Sequence, residues 1–458
     1  MSATFRPTDA TKEERAEPKG KCAMSIGGIM RNRGGPNFWQ KPTRSLEKCS
    51  YYRDVVMRQK PHFRAASESD LDRLIDIHFR AFPDPRGEVE RLRNFRDNRF
   101  GPLSRLVVGE VAGSVVAHAF LFDFELGCRG VVLPVAGVAS VGVAPEARGQ
   151  GVGTALVHHL HDEARNRGKV ASLLFPFREG FYARLGYGKT TPTIALECAP
   201  RTFSSLEGNA SVRAAKGSDR ERIVSFYTTR VSEGLGRIER SDATWNKFFA
   251  DPKRYLLVAE RDGAFAGYAM LGFDQDESHA AITLYVHELL AIDAAAERSL
   301  LAVVGAQRSN VLDVRLDVPY GSYLPQALVD MDALRFGTER QEHTVGKLLA
   351  GPMVRVLDFE SLLRSRPLAG TGSFSFYVAE EGVTYTLSHT TNGRTCHVER
   401  GEGTKALLTP IAAASSLLLG GVSVFALAAA GLCRGDQQSL AAAATVLGQD
   451  VFFGCDAF

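Results

Sequence analysis

The stretch VGVAPEARGQGVGT, residues 141–154, joins an apolar strand to a helix through one arginine and three glycines. The residues before it are also apolar, and Pro145 ends the strand. After the glycines, Val152, Leu156 and Leu160 recur at helical spacing, and Gly168 ends the helix. The sequence therefore predicts a glycine-rich backbone and a cation at the amino terminus of a helix, which is an arrangement that binds phosphate groups.

Three phosphate-binding patterns compete for these glycines. A Walker A loop requires Gly-Lys-Ser/Thr, but Gly153-Thr154 has no lysine. A dinucleotide fingerprint requires G-x-G-x-x-G, and Gly149, Gly151 and Gly153 have a different spacing. The pattern that fits is Arg-x-x-Gly-x-Gly, which begins at Arg148 directly after the strand. We interpret it as a pyrophosphate site.

The length and the charge distribution indicate several domains and a distinct amino-terminal segment. A chain of 458 residues with 45% hydrophobic residues is too long for one core, so about two to four domains are expected. Residues 1–60 carry 13 Lys+Arg and 6 Asp+Glu. We interpret them as a basic, irregular, solvated extension rather than a nucleic-acid or membrane anchor. No apolar segment follows Met1, so no signal peptide is expected.

The cysteines and one long apolar segment indicate the cellular compartment in which the protein is expected. Seven cysteines are scattered without metal-ligand spacing, so we expect no metal site, no disulfide framework and a reducing, cytoplasmic location. Residues 406–433 contain no charge and are long enough to span a bilayer. Ser423 and Gly431 instead predict two short buried helices, the second capped by the serine and ended by the glycine. A membrane role is therefore not expected.

An internal repeat organises the chain. FRAASESD at 63–70 recurs as VRAAKGSD at 212–219, and RLVVGEVAGSVVAHAFL at 105–121 recurs in type as YLLVAERDGAFAGYAML at 255–271. These offsets of about 150 residues predict two homologous α/β modules in series. Beyond residue 353, short β-type runs such as FSFYV and VTYTL predict a smaller α+β domain. The predicted units are therefore the extension 1–60, an α/β domain 61–200, a second α/β domain 205–350 and an α+β domain 353–458.

The first module resembles the GNAT N-acetyltransferases, whose coenzyme A arm has the pattern Arg-x-x-Gly-x-Gly. The segment EGFYARLGYGK, residues 179–189, resembles the family's F-Y-x-x-x-G-[FY] segment. Tyr182 matches the tyrosine that protonates the departing thiolate, and Tyr187 matches a trailing packing residue. The second module reads HELLAIDAAAERSLLAVV at 287–304, without glycine. We therefore expect a degenerate GNAT fold there that does not bind coenzyme A.

The combination of parts resembles one family, the enhanced intracellular survival (Eis) acetyltransferases. These combine an active GNAT domain, a degenerate GNAT domain and a carboxy-terminal domain similar to sterol carrier protein 2. The stretch SSLLLGGVSVFALAAAGLCRG from residue 415 and the ending DVFFGCDAF resemble that family's carboxy-terminal helix pair and Cys-x-x-Phe ending. The resemblance implies acetyl transfer from acetyl-CoA to amines of aminoglycosides, and assembly as a hexamer.

The resemblance also implies a set of site residues. Acetyl-CoA is expected along Val141 and Val143, with the cradle formed by residues Arg148, Gly149, Gly151, Gly153 and Thr154. Because an alkylammonium with a pKa near about 10 must lose a proton before it attacks, a base is needed. In Eis proteins the α-carboxylate of the last residue has that role, so Phe458 is the matched residue. Asp456, Asp84 and Glu88 are expected to line the acceptor pocket.

Several alternatives stay open at this stage. An acyltransferase that acts on lysine, ornithine or peptide amines, with longer acyl chains, fits every motif equally well. A non-catalytic coenzyme A or lipid-binding scaffold is disfavoured by the intact Arg148 pattern and by Tyr182. His158, His159 and His161 follow the glycines, but without a carboxylate or cysteine at ligand spacing we interpret them as a solvated helix face rather than a metal site.

Overall fold

The computed structural model describes residues 60–83, 95–96, 98–275, 281–328, 346–390, 393–403 and 406–458. The predicted extension therefore lies outside the described residues, apart from Lys60. The substrate-binding predictions for Asp84 and Glu88 also fall outside them.

The first part of the described chain contains both strands and helices, as the predicted α/β class requires. Its strands are β1 His62–Ala65, β2 Leu106–Val111, β3 Ser114–Cys128, β4 Val131–Val143, β5 Ala171–Leu174, β6 Gly188–Lys189 and β7 Thr193–Cys198. Its helices are α1 Leu71–Ala81, α2 Val152–Asn166 and α3 Glu179–Ala183. The predicted order of strand, glycine turn and helix is confirmed. Helix α2 buries Val152, Leu156 and Leu160 against β3 and β4.

The second part repeats this order with an additional strand and helix near its start. Its strands are β8 Ser211–Ala214, β9 Leu235–Ile238, β10 Arg254–Arg261, β11 Ala264–Gln275, β12 Ile282–Ala291, β13 Asp313–Pro319 and β14 Gly346–Leu349. Its helices are α4 Arg220–Val231, α5 Asp242–Ala250, α6 Ala294–Gly305 and α7 Leu324–Ala327.

The third part is mixed α+β, as predicted. Its strands are β15 Met353–Val356, β16 Gly372–Val378, β17 Val383–Thr390, β18 Gly393–Arg400 and β19 Leu407–Thr409. Its helices are α8 Phe359–Ser365, α9 Ile411–Leu419, α10 Val424–Ala429 and α11 Gln437–Leu447. Helices α9 and α10 are the predicted pair, with the Ser423 side chain accepting a hydrogen bond from Phe425 N at 3.2 Å. Among the described helices, none is both long enough and apolar enough to cross a bilayer.

The described strands form three sheets. The first has the order β1-β2-β3-β4-β5-β15-β6, with β9 paired to β3. The second has the order β14-β7-β13-β12-β11-β10-β8, and the third has the order β18-β17-β16-β19. The first two sheets share one strand order. Strands β1 to β5 of the first sheet correspond in sequence to β8, β10, β11, β12 and β13 of the second. The described chain thus contains two sheets of one type and a third, smaller sheet in the α+β part.

Strands are exchanged between the units, which departs from the predicted boundaries at residues 200 and 353. Strand β7, in the predicted first domain, pairs with β13 and β14 of the second sheet. Strand β15, in the predicted third domain, lies between β5 and β6 of the first sheet. Sequence repeats identify the copies but do not specify which sheet a short apolar strand completes, so the boundaries do not coincide with the sheets.

The repeated FRAASESD-type motif has a physical basis in one ion network that each module forms. In the first, the Arg64 guanidinium donates to both oxygens of Asp70 at 2.7 and 2.8 Å and to Glu110 at 2.6 Å. In the second, Arg213 donates to both oxygens of Asp219 at 2.7 and 2.9 Å, and to Glu260. In both copies the network therefore joins the first strand of the module, the turn before its first helix and the strand that pairs with the first strand.

Asp219→Asn is expected to lower the melting temperature at neutral pH, with a difference from wild type that narrows as the pH falls below about 4. The hydrogen bonds from Arg213 hold the pKa of Asp219 well below its usual range. A carboxyl with a depressed folded pKa stabilises the fold above its unfolded pKa, and this contribution is lost on acidification. Thermal melts across pH 3–7 measure the effect, and a pH-independent difference would contradict it.

Candidate active site

The turn between β4 and α2 has the geometry that the glycines predicted. Gly149 and Gly151 have φ angles of 75° and 80°, a left-handed conformation that favours glycine. Gly151 is the residue that caps α2, so no side chain covers the first amides of the helix. The Arg148 guanidinium donates to Val143 O and Arg80 O, each at 3.0 Å, which ties this turn to the end of α1. An anion can therefore approach the amino terminus of α2.

Strand β4 changes its pairing just before this turn. Residues 135–137 pair in parallel with 171–173 of β5, and among the described residues this pairing does not continue toward Val143. On the other side, β4 has an irregular register with β3 around Ser140, which adopts a φ of 51°. Bulges of this kind occur next to active sites. The backbone of Val141 and Val143 thus lies along the segment where β4 and β5 separate.

The second module fills the equivalent position with its own carboxylate. Asp293 caps α6, and its side chain accepts a hydrogen bond from Ala296 N at 2.9 Å. Both carboxylate oxygens also accept from Arg261, at 2.8 and 2.9 Å. The Arg261 hydrogen bond holds the pKa of Asp293 well below its usual range, so the group is an anion. A helix terminus already occupied by a paired carboxylate is a poor phosphate site.

Tyr182 lies in an aromatic cluster at α3. It is 2% exposed, and its ring contacts Phe177, Phe181 and Tyr187 edge-on, with centroids 5.7, 5.0 and 5.8 Å away. Burial raises the pKa of the Tyr182 hydroxyl well above its ordinary value of 10, so it is protonated at neutral pH. Tyr187 is fully buried, as expected of a packing residue.

The interpretation of the three histidines as a solvated face is wrong for His161. That residue is 1% exposed, and its Nε2 is hydrogen-bonded to the Tyr187 hydroxyl at 3.1 Å. Burial lowers the pKa of His161 to about 2, so it is neutral. His158 is exposed, and His159 stacks on Phe63 with centroids 4.7 Å apart. In the described part of the chain, no group of three or more metal-type ligands occurs.

Phe458 lies where β4 and β5 begin to diverge. Its ring contacts those of Phe124 and Phe175, with centroids at 4.9 and 5.5 Å. A side chain at Gly137 would overlap the Phe124 ring and crowd the Phe458 ring, which lies 3.0 Å from the position of a Cβ, so the glycine leaves room for both rings. Phe175 begins the loop between β5 and α3, and the same loop supplies the Phe177 contact to Tyr182. One short loop therefore touches both predicted catalytic residues.

A cavity of about 770 Å³ lies beside the carboxy-terminal tail, defined here as residues 450–458. Its walls include β12, β13, residues 452–457 and Phe175. The lining carries the carboxylates of Glu288, Glu297, Asp317 and Asp456. Burial raises the pKa of both Glu297 and Asp317.

Of the three predicted acceptor residues, the structure describes Asp456. It lines this cavity, and both its carboxylate oxygens accept hydrogen bonds from Arg240. Sequence reasoning missed Arg240 and the acids of β12, β13 and α6, because no motif marks them. They approach the tail only through the pairing of distant strands.

Comparison with known proteins agrees with this architecture. Two family profiles, each described as an acetyltransferase (GNAT) domain, match residues 62–190 and 236–356. A GCN5-related N-acetyltransferase from Anabaena variabilis superposes with a TM-score of 0.73 at 18% identity, covering 87% of this chain and 100% of that one. Eis1 from Mycobacterium abscessus superposes with a TM-score of 0.69 at 22% identity, with coverage of 87% and 100%. The chain is an N-acetyltransferase with two tandem GNAT domains.

Sequence similarity shows which N-acetyltransferases this chain resembles. N-acetyltransferase Eis of Mycobacterium bovis is 27% identical over 334 residues, which span 68% of this chain and 76% of the relative. An uncharacterized N-acetyltransferase of Streptomyces avermitilis is 27% identical over 201 residues, or 40% of this chain and 49% of the relative. The chain is thus homologous to Eis across its two GNAT domains. The resemblance of the third unit to sterol carrier protein 2 stays a prediction.

Proposed function

We propose that this N-acetyltransferase transfers the acetyl group of acetyl-CoA to primary amines of a small polycationic acceptor of the aminoglycoside type, in the cytoplasm. The observation that carries the proposal is the junction of three features at the point where β4 and β5 separate. The glycine turn follows β4, Phe458 lies on Gly137, and the acidic cavity adjoins Phe458 through Phe175. These features support a proposed thioester site, a proposed base and a proposed acceptor pocket that lie near one another.

The residues of the first module fit acetyl-CoA. The pyrophosphate would bind the exposed amides of Gly149, Gly151, Gly153 and Thr154, where the partial positive charge of α2 favours an anion. Arg148 adds a cation, and main-chain groups of Val141 and Val143 would hold the pantetheine and polarise the thioester carbonyl. Because Asp293 occupies the equivalent position in the second module, one coenzyme A binds per chain.

Acetyl transfer requires that the acceptor nitrogen lose protons and that the departing thiolate gain one. The acceptor ammonium gives a proton to the α-carboxylate that Phe458 carries as the last residue of this sequence. The neutral amine nitrogen then attacks the thioester carbon, the carbon–sulfur bond breaks, and the departing thiolate takes the proton of the Tyr182 hydroxyl. The nitrogen loses a second proton as the amide forms, and this proton passes through solvent to restore the Tyr182 hydroxyl. The Tyr182 hydroxyl is protonated at neutral pH, as a proton donor must be, since burial raises its pKa further above 10.

The acidic cavity supports a polycationic acceptor. Its volume lies within the range of about 300–1,000 Å³ typical of small-molecule sites. Arg240 pairs with Glu288 and Asp456, and Arg237 also lines the cavity. Glu297 of α6 and Asp317 of β13 are therefore the carboxylates proposed to contact ammonium groups. Asp84 and Glu88 stay predicted contributors. The family resemblance extends the proposal to a hexamer, which light scattering of the purified chain tests.

The experiment that tests the function measures release of free coenzyme A thiol from acetyl-CoA across aminoglycosides, polyamines and lysine peptides. Rapid thiol release with aminoglycosides is the expected result. Release only with lysine, ornithine or peptide amines would assign the alternative acceptor class, and a parallel series of longer acyl-CoA donors determines the acyl-chain preference.

Gly151→Val, alone or with Arg148→Ala, is expected to weaken acetyl-CoA binding about tenfold or more. Valine is strained at the left-handed φ of Gly151 and obstructs the backbone approach, and alanine removes the cation. Calorimetry measures the dissociation constant. Gly217→Ala is the control, because it lies in the second module, away from the cradle, and a Cβ there meets nothing within 4 Å. Unchanged affinity in the double variant would overturn the assignment.

A further inference from the structure

Arg240 is an enclosed cation between the second GNAT domain and the carboxy-terminal tail. Its side chain is 5% exposed. Nε and Nη2 donate to the two oxygens of Asp456, both at 2.8 Å, and Nη1 donates to Glu288 at 3.1 Å. The guanidinium also lies over the ring of Tyr227, with its Cζ 4.1 Å from the centroid. Every face of the group is therefore engaged.

This network joins three distant parts of the chain. Arg240 follows β9, which pairs with β3 of the first sheet. Glu288 is on β12 of the second sheet and accepts a further hydrogen bond from the Tyr268 hydroxyl. A bidentate pair of a planar guanidinium with a carboxylate fixes orientation as well as distance. The geometry of Asp456 is consequently set by the second domain.

The neighbouring tail residues are held by backbone contacts. Phe453 N donates to Leu235 O of β9 at 2.9 Å. Ala457 O accepts a hydrogen bond from Arg99 Nη2 at 2.9 Å. The tail is thus attached before and after Asp456, and the next residue is Phe458 with its ring against Gly137. Asp456 and Phe458 are only two residues apart, so the contacts of Asp456 restrict where Phe458 can lie.

We propose that Arg240 is a positioning residue for acetyl transfer: it orients Asp456 and, through it, holds Phe458 at the point where β4 and β5 diverge. This inference rests on the proposed function. In the second GNAT domain, Asp293 occupies the amino terminus of α6. Under this proposal that domain nevertheless contributes to the reaction of the first domain. It also makes Asp456 a tail anchor rather than a ligand of the acceptor.

The test compares Asp456→Asn and Arg240→Lys with the wild-type full-length chain. Asparagine keeps the shape of Asp456 and removes its charge, and lysine keeps the charge of Arg240 and removes the bidentate geometry. Both variants are expected to lower kcat about tenfold or more, while KM for acetyl-CoA and for the amine changes less than about twofold. In a chain lacking Phe458, Asp456→Asn is expected to cause no further loss.

Asp219→Asn is the matched control, since Arg213 and Asp219 form the same bidentate pair in the same domain. It should lower thermal stability without lowering kcat below the melting range. The proposal is overturned if Asp456→Asn leaves kcat unchanged, raises only KM for the amine, or lowers kcat equally with and without Phe458. By contrast, full activity without Phe458, or no thiol release by wild type, overturns the proposed function itself.

Discussion

Tyr182→Phe is expected to lower kcat for acetyl transfer about 100-fold or more, which corresponds to about 2.7 kcal/mol of transition-state stabilisation. The substitution keeps the ring and its contacts with Phe177 and Phe181 and removes only the hydroxyl proton. The dissociation constant for acetyl-CoA should stay within about twofold, because the ring packing is unchanged. Steady-state kinetics and calorimetry on the same preparation separate the two quantities.

Tyr187→Phe is the matched control for Tyr182. Its hydroxyl is bonded to Ser172 Oγ at 2.7 Å and to His161 Nε2 at 3.1 Å, so its loss should cost about 1 kcal/mol per bond in the free energy of unfolding. The kcat of the Tyr187→Phe variant should change little. Equal losses of kcat in the two variants would contradict a specific proton donor and indicate that both tyrosines act by packing.

Neutralising the α-carboxylate of Phe458 is also expected to lower kcat about 100-fold or more. The sequence offers a way to do so without adding residues, because Gly454-Cys455 is a suitable junction for chemical ligation of a thioester to an amino-terminal cysteine. Joining residues 1–454 to the tetrapeptide Cys-Asp-Ala-Phe as its amide removes one negative charge. Joining the same fragment to the free-acid tetrapeptide gives a control of identical sequence.

The amide and the free acid should have the same melting temperature and the same affinity for acetyl-CoA. Their kcat values should differ, and equal kcat values would refute the α-carboxylate as base. A carboxy-terminal tag should reproduce the loss, since it replaces the carboxylate by an amide and places residues beside the acceptor cavity. An amino-terminal tag on the same chain is the comparison for the effect of tagging.

The sequence predicts the fold well where a pattern is local. The glycine turn, helix α2 and the helices α9 and α10 each depend on spacing and capping within a few residues, and the structure agrees with them. The repeat predicts two related α/β modules because Arg64 and Arg213 recur with their carboxylate partners. The exchange of β7 and β15 between sheets was not predictable, since a short apolar strand carries no information about its partner.

The residues of the candidate site also differ in whether a local sequence pattern identifies them. Residues that belong to a motif, such as Gly151 and Tyr182, could be named from the sequence. Arg240 could not, because its role depends on a pairing between β9 and β3 and on a tail more than 200 residues away. His161 was assigned to a solvated surface because helical spacing alone does not reveal that Tyr187 offers it a buried hydrogen-bond partner.

The insertion of β15 between β5 and β6 has a consequence for synthesis on the ribosome. Roughly 180 residues separate β5 from β15, and at about 5–20 residues per second their translation takes about 10–40 s. During that interval the apolar edge of β5 lacks the strand that covers it, and β6 lacks its neighbour. The first sheet is completed only after the whole second module has emerged, so the smallest unit that can mature into an enzyme is nearly the entire polypeptide.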